Sequence, residues 1–235
     1  MAKDIDKRKT ASTPDAVADF LKQVAATPVR KTDGRNGRLI FAIDATASRQ
    51  PTWDHAAHLQ REMFEEAAAI GGLDLQIAYF RGFGEFRATR WTTDSRALAR
   101  PMSKVSCLGG HTQIGKVLKH TLKQTKEDPV NALVYIGDCM EEDTDKLCHL
   151  AGQLGLVGVP AFVFQEGHDP VAETCFRQIA KLSGGAFCHF DGASAATLRN
   201  LLRAVAAYAA GGRKALADYS RKSGGEALLL LEQIR

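Results

Sequence analysis

The chain has 235 residues, 45% of them hydrophobic and 25% charged, with 31 Lys and Arg against 27 Asp and Glu for a net charge of +4. That length and apolar content allow one substantial core, and so mild a positive charge argues against a nucleic-acid partner. No apolar run approaches the ~18 residues that a membrane span needs, so no membrane partner is expected.

Residues 1–12 are polar and charged, with no apolar segment behind the opening charges, unlike a secretory signal. Thr13 is placed to cap a short helix that has Pro14 at its first position and runs to about Val24. A Pro-, Gly- and Arg-containing linker follows, from Ala26 to Gly37. The spacing then predicts strand Arg38–Asp44, helix Trp53–Ile70 closed by Gly71 and Gly72, and strand Leu73–Phe80. The turn Arg81–Gly84 leads into Glu85–Thr92 as an antiparallel hairpin partner at the sheet edge. A short helix Ser95–Met102 precedes a glycine-rich loop, 107–115, which feeds a helix to about Lys126. Strand Asn131–Gly137, helix Thr144–Leu156, strand Pro160–Gln165, helix Asp169–Leu182, strand Ala186–Phe190 and helix Ala195–Ala210 complete the repeat. This alternation predicts an α/β fold: a Rossmann-like three-layer domain with a mostly parallel sheet of about six strands, one antiparallel edge strand and helices on both faces. The expected organisation is a tail, helix and linker over 1–37, one domain over 38–212, and a helical extension over 213–235.

The most informative stretch is Arg38-Leu-Ile-Phe-Ala-Ile-Asp44-Ala-Thr46-Ala-Ser48. Leu39–Ile43 is continuously apolar, as in a parallel strand buried on both faces. Open α/β sheets bind ligands just beyond the carboxyl ends of their strands. Asp44, Thr46 and Ser48 sit there as three hard oxygen donors with no Cys or His among them, which favours Mg²⁺, Mn²⁺ or Ca²⁺ over zinc.

Three segments, Asp44-Ala-Thr46-Ala-Ser48, Gly109-Gly-His-Thr112-Gln-Ile-Gly115 and Ile136-Gly-Asp138, resemble the signatures of the von Willebrand factor type A (VWA) domain, over about residues 38–210. The resemblance implies a stand-alone, bacterial-type member with a metal-ion-dependent adhesion site (MIDAS) on top of the sheet. It further implies direct ligation by Thr46, Ser48 and Thr112, with Asp44 and Asp138 acting mainly through bound water. Thr46 stands where Ser is usual, but the hydroxyl is kept. A divalent cation held by few anions keeps residual positive charge and open positions. The function so implied is metal-dependent protein binding, in which a partner's Asp or Glu is captured and no reaction is catalysed.

Other readings compete for the same residues. Asp44 also looks like the nucleophile of haloacid-dehalogenase-type Mg²⁺-dependent phosphotransferases, with Asp138 and Asp143 as the acidic motif. Thr46 stands where most hydrolytic members carry a general acid. Gly110–Val117 matches most of a phosphate-cradling loop but has Val117 where a hydroxyl must reach Mg²⁺. The aromatic and arginine run from Tyr79 to Trp91 reads as a hairpin that buries its rings. Five cysteines, at 107, 139, 148, 175 and 188, lack zinc-finger spacing; they read as reduced thiols of a cytoplasmic protein. Cys107 and Cys139 are expected near the metal face.

Overall fold

The computed structural model of the protein describes residues 14–27, 36–52, 73–94, 97–98, 105–190, 200 and 202–211. Its centre is β1, Gly37–Asp44, an eight-residue strand buried at every position. Five further strands follow: β2 (Leu73–Arg81), β3 (Glu85–Ala88), β4 (Ala132–Gly137), β5 (Ala161–Glu166) and β6 (Ala186–Phe190). The described helices are α1 (Pro14–Ala26), α2 (Ile114–Glu127), α3 (Thr144–Leu156), α4 (Pro170–Ser183) and α5 (residues 202–211). The predicted helix Trp53–Ile70, most of Ser95–Met102 and the extension 213–235 lie outside the described residues.

The strands form one sheet in the order β3-β2-β1-β4-β5-β6, parallel throughout except for β3 at the edge. The α/β architecture expected from the alternation is therefore present. Side chains alternate across the sheet, and with a core on each face this explains why Leu39–Ile43 of β1 are apolar without a break. Leu39, Phe41 and Ile43 enter one core with Phe20 and Val24 of α1 and the alanine-rich face of α5. Ile40 and Ala42 enter a second core with α2, α3 and α4. Phe20 of α1 packs its ring on Phe162 and Phe164 of β5 at 6.1 and 5.1 Å between centroids, so the N-terminal helix is built into the layer.

The edge hairpin is shorter than its sequence predicts. β3 stops at Ala88, and Thr92 then pairs with Leu75 one residue out of the Ala78–Ala88 register. The extra residue makes a bulge, a common way to end pairing at an edge. Thr89 fills the break: its hydroxyl accepts from Ile77 N at 3.0 Å and its carbonyl accepts from Gln76 Nε2 at 2.9 Å. Phe80 is fully buried and Phe86 packs on the second core, as a hairpin that buries its rings would have it. Phe83 at the turn is the exception, 84% exposed.

The chain runs from β1 outward to β2 and β3, then returns to place β4 on the other side of β1. This reversal opens a crevice between the carboxyl ends of β1 and β4, the usual ligand position in such sheets. Ile43 pairs with Ile136, so the residues just beyond both strands meet there.

Candidate metal centre

Asp44 is the last residue of β1 and is fully buried. Its Oδ1 accepts a hydrogen bond from Thr46 N at 2.7 Å, an Asx turn that lifts the chain out of the sheet. Its Oδ2 is enclosed and has no hydrogen-bond partner. The turn brings Thr46 Oγ1 within 3.1 Å of Ser48 Oγ, so the alternate positions of the sequence converge as hydroxyls on one side. The 3₁₀ helix Ala47–Thr52 then carries the chain away.

Asp138 immediately follows β4, and its Oδ1 is likewise buried without a partner. Cys139 comes next, with Sγ 3.7 Å from Ser48 Oγ. Donor atoms of Asp44, Asp138 and Cys139 all lie within 4.8 Å of one another, the one such group among the described residues. Sulfur thus joins a donor set that the sequence reading expected to be oxygen alone. The reason is tertiary: Cys139 belongs to a different strand end, and only the β1–β4 pairing brings it beside Ser48. Burial pushes the Asp44 carboxyl up from 3.8 to about 6; hydrogen bonds from Thr46 oppose that rise and the neighbouring Asp138 charge adds to it. Burial also drives the Cys139 thiol up to about 12, against the Ser48 hydrogen bond and with help from both aspartates. Each shift says that this pocket disfavours more negative charge unless a cation accompanies it.

Thr112 lies on the loop before α2 and is tied to the loop that follows Asp138. Its N–H donates to Glu141 Oε2 at 2.9 Å, and its hydroxyl accepts from Glu141 N at 3.1 Å. Glu142 accepts from Ile114 N and from Gly115 N, the latter at 3.0 Å, so it caps α2 from another segment while the residue at the cap position, Gln113, makes no side-chain cap. The acidic run thus divides its work. Asp143 caps its own helix, α3, by accepting from Lys146 N at 3.0 Å, and the two glutamates brace the 112–115 turn. Of the predicted set, the structure brings Asp44, Thr46, Ser48 and Asp138 together directly and holds Thr112 through Glu141.

One glycine of the loop, Gly110, serves protein packing. A Cβ on Gly110 would lie 2.0 Å from the carbonyl oxygen of Gly82, which itself turns with φ +60°. The β2–β3 turn therefore rests on this loop, joined further by Gln113 Nε2 donating to the Arg81 and Gly82 carbonyls at 3.2 Å each. Phe83 and His111 meet edge to face above that contact, 5.4 Å between centroids.

Arg49 has no counterpart in the sequence reading. Its side chain is fully buried and pairs with Glu166 at the end of β5, Nη2 to Oε2 at 3.0 Å. Its charge favours the ionised form of Asp44. No local pattern singles Arg49 out, because its partner Glu166 stands at the end of another strand. Cys107 is half-buried nearby; burial raises its thiol to about 11, with Arg49, Asp44 and Asp138 all within electrostatic reach.

Two enclosed carboxylate oxygens without partners, on buried Asp44 and half-buried Asp138, are expensive in a low-dielectric pocket, and a divalent cation would satisfy both at once. The residues present fit such an ion. The phosphate-cradle reading fits less well, because Glu142 already takes the amides at the start of α2. Asp143, the extra acid of the phosphotransferase reading, is committed to capping and stands outside the group. Cys148 and His149 form no metal-ligating group among the described residues, and His149 bonds Gln153 along α3.

Comparison with solved structures finds the same architecture in VWA domains. The SpRpn10 VWA domain aligns with a TM-score of 0.58 at 12% identity, over 71% of this chain and 94% of that one. A von Willebrand factor type A protein from Catenulispora acidiphila aligns at 0.58 and 18% identity, over 74% and 43%. Proximal thread matrix protein 1 from the mussel byssus, solved with a zinc-occupied MIDAS motif, aligns at 0.58 and 15%, over 73% and 46%. This chain spans less than half of the last two. No protein-family model matches the sequence, and no curated protein does. The likeness is one of fold: the chain has the VWA fold.

Proposed function

We propose that the protein is a divalent-cation-dependent protein-binding domain, whose site captures an Asp or Glu side chain of a protein partner. The observation that carries this reading is the pair of buried, partnerless carboxylate oxygens, Asp44 Oδ2 and Asp138 Oδ1, at the β1–β4 crevice of a VWA fold. Asp44 and Asp138 hold the charge, and Thr46 and Ser48 supply hydroxyls. Thr112 is assigned as a third hydroxyl, with one lone pair already accepting from Glu141 N. A bound divalent ion supplies a Lewis-acidic point with positions left for an outside oxygen. This chain's contribution is the rigid mount: the Asx turn orients Asp44, and the Glu141–Thr112 pair holds the second loop. The zinc-occupied motif of the mussel protein lends support as an analogue of fold. Five free cysteines suit a reducing compartment, and we place the protein in the cytoplasm. No helix among the described residues is long and apolar enough to cross a membrane.

Calorimetric titration of Mg²⁺, Mn²⁺ and Zn²⁺ into the full chain tests the reading. At least one ion is expected to bind, and Asp44→Asn to abolish that binding with the circular dichroism spectrum unchanged. Retained affinity in the variant would remove the basis for the assignment. The phosphotransferase alternative makes a different forecast: metal-dependent turnover of acetyl phosphate that vanishes in Asp44→Asn.

A further inference from the structure

Among the described residues, Cys139 is the soft donor grouped with the carboxylates of Asp44 and Asp138. Its sulfur is half-buried, 3.7 Å from Ser48 Oγ, and its distances to the Asp44 and Asp138 oxygens fall within 4.8 Å. Asp44 is fully enclosed, one of its carboxylate oxygens belongs to the same group, and its Oδ2 has no hydrogen-bond partner. Two carboxylate oxygens, one hydroxyl and one sulfur make four donors from two strand ends. Around a tetrahedral zinc ion, with bonds of ~2.0–2.3 Å, such donors stand ~3.3–3.8 Å apart. Asp44, Asp138 and Cys139, grouped within 4.8 Å, therefore need shifts of only about an ångström to reach that spacing, and Ser48 Oγ already stands 3.7 Å from the sulfur. Mg²⁺ wants near-octahedral oxygen and gains little from sulfur, whereas thiolate selects borderline-soft ions.

We infer that Cys139 is a metal ligand together with Asp44, Asp138 and Ser48, and that the site selects Zn²⁺ over Mg²⁺. This rests on the cation-site reading above and specifies its ion. Ligation replaces the S–H bond by an S–Zn bond and releases one proton to water, with no change of oxidation state. The thiolate adds a third negative charge, and Arg49, buried close to Asp44, offsets part of it. Two carboxylates and a thiolate leave an ion of lower residual charge than the same two carboxylates would leave on Mg²⁺. An incoming acid then enters by expanding the coordination to five, a change that zinc accepts.

Cobalt substitution of the full chain, kept under reductant, tests this. Co²⁺ is expected to give a near-ultraviolet thiolate-to-cobalt charge-transfer band that persists in Cys107→Ser and disappears in Cys139→Ser. By calorimetry, Zn²⁺ should bind the native chain at least tenfold more tightly than Mg²⁺, and Cys139→Ser should erase that preference. If Cys139→Ser does not fold, the native protein still answers: Zn²⁺ should protect Cys139 from iodoacetamide in peptide mass spectra, and Mg²⁺ should not. A band that survives Cys139→Ser, or alkylation of Cys139 unaffected by Zn²⁺, overturns the inference. In that case ion binding that still depends on Asp44 leaves the cation site standing. Absence of any divalent binding by the native chain sinks both.

Discussion

Asp44 holds a carboxyl in a place where its charge is costly, and the cost has a definite pH dependence. The folded protein keeps the Asp44 proton up to about pH 6, whereas an unfolded chain releases it near 3.8. Between those values the native state binds more protons than the unfolded one, so stability falls as pH rises through that window and then levels off. That displacement corresponds to about 3 kcal/mol as an upper bound. Metal-free protein should lose stability in urea denaturation from pH 4 to pH 6, and Asp44→Asn should largely flatten that segment. The variant should therefore be more stable than metal-free native protein at pH 7 while failing to bind an ion. If both proteins show the same pH profile, Asp44 is not the strained group. Asp44, Thr46 and Ser48 could be picked from the sequence because their alternation follows an unmistakable buried strand. Cys139 was placed only near the metal face and Arg49 not at all, because their partners Ser48 and Glu166 are each far away along the chain.

At the level of elements, the loop after β4 does more than carry Asp138. It sends Glu142 to the N-terminus of α2 and Glu141 to Thr112, so one acidic loop fixes the second wall of the crevice. Four amides at a helix start need acceptors, and α2 obtains its acceptor from a neighbour. Removing such a cap costs about 1–2 kcal/mol. Glu142→Ala should show that loss in urea denaturation, whereas Glu142→Gln, which keeps an acceptor oxygen, should lose less. Equal stability of Glu142→Ala and native protein would mean that α2 is held by packing alone. Acids 141–143 stand just before α3 in chain order, yet two of the three bond the segment that opens α2. The bulge beyond Ala88 was hidden for a similar reason, since Glu85–Thr92 reads as one unbroken strand until paired against β2.

For the whole molecule, ion binding and folding are one equilibrium. The site draws on β1, β4 and the loops behind them, so the unfolded chain has no comparable arrangement to offer. An ion at a hundred times its dissociation constant adds about 2.7 kcal/mol to stability. For a chain of this size that raises the unfolding midpoint on the order of 5–10 °C. A thermal-shift series should show this rise with Zn²⁺, its reversal by chelator, and none of it in Asp44→Asn. A shift that persists in the variant would place the binding elsewhere. Because both cores meet at β1, the rise should appear as one cooperative transition.

By itself the sequence determined the strands and helices of the core, since periodicity and continuous apolar runs are local properties of a chain. It also determined the class of fold, because alternating β and α segments have few ways to bury both faces of a sheet. The same local pattern marked Asp44, Thr46, Ser48 and Asp138 as residues just past strand ends. The tertiary structure decided which strand ends meet, through the placement of β4 beside β1. That placement orphans two carboxylate oxygens together, brings the Cys139 sulfur to Ser48 and buries Arg49 against Glu166. The physical reason is range: hydrophobic patterning is read within a few residues, whereas desolvation and coordination depend on groups joined only when the sheet closes.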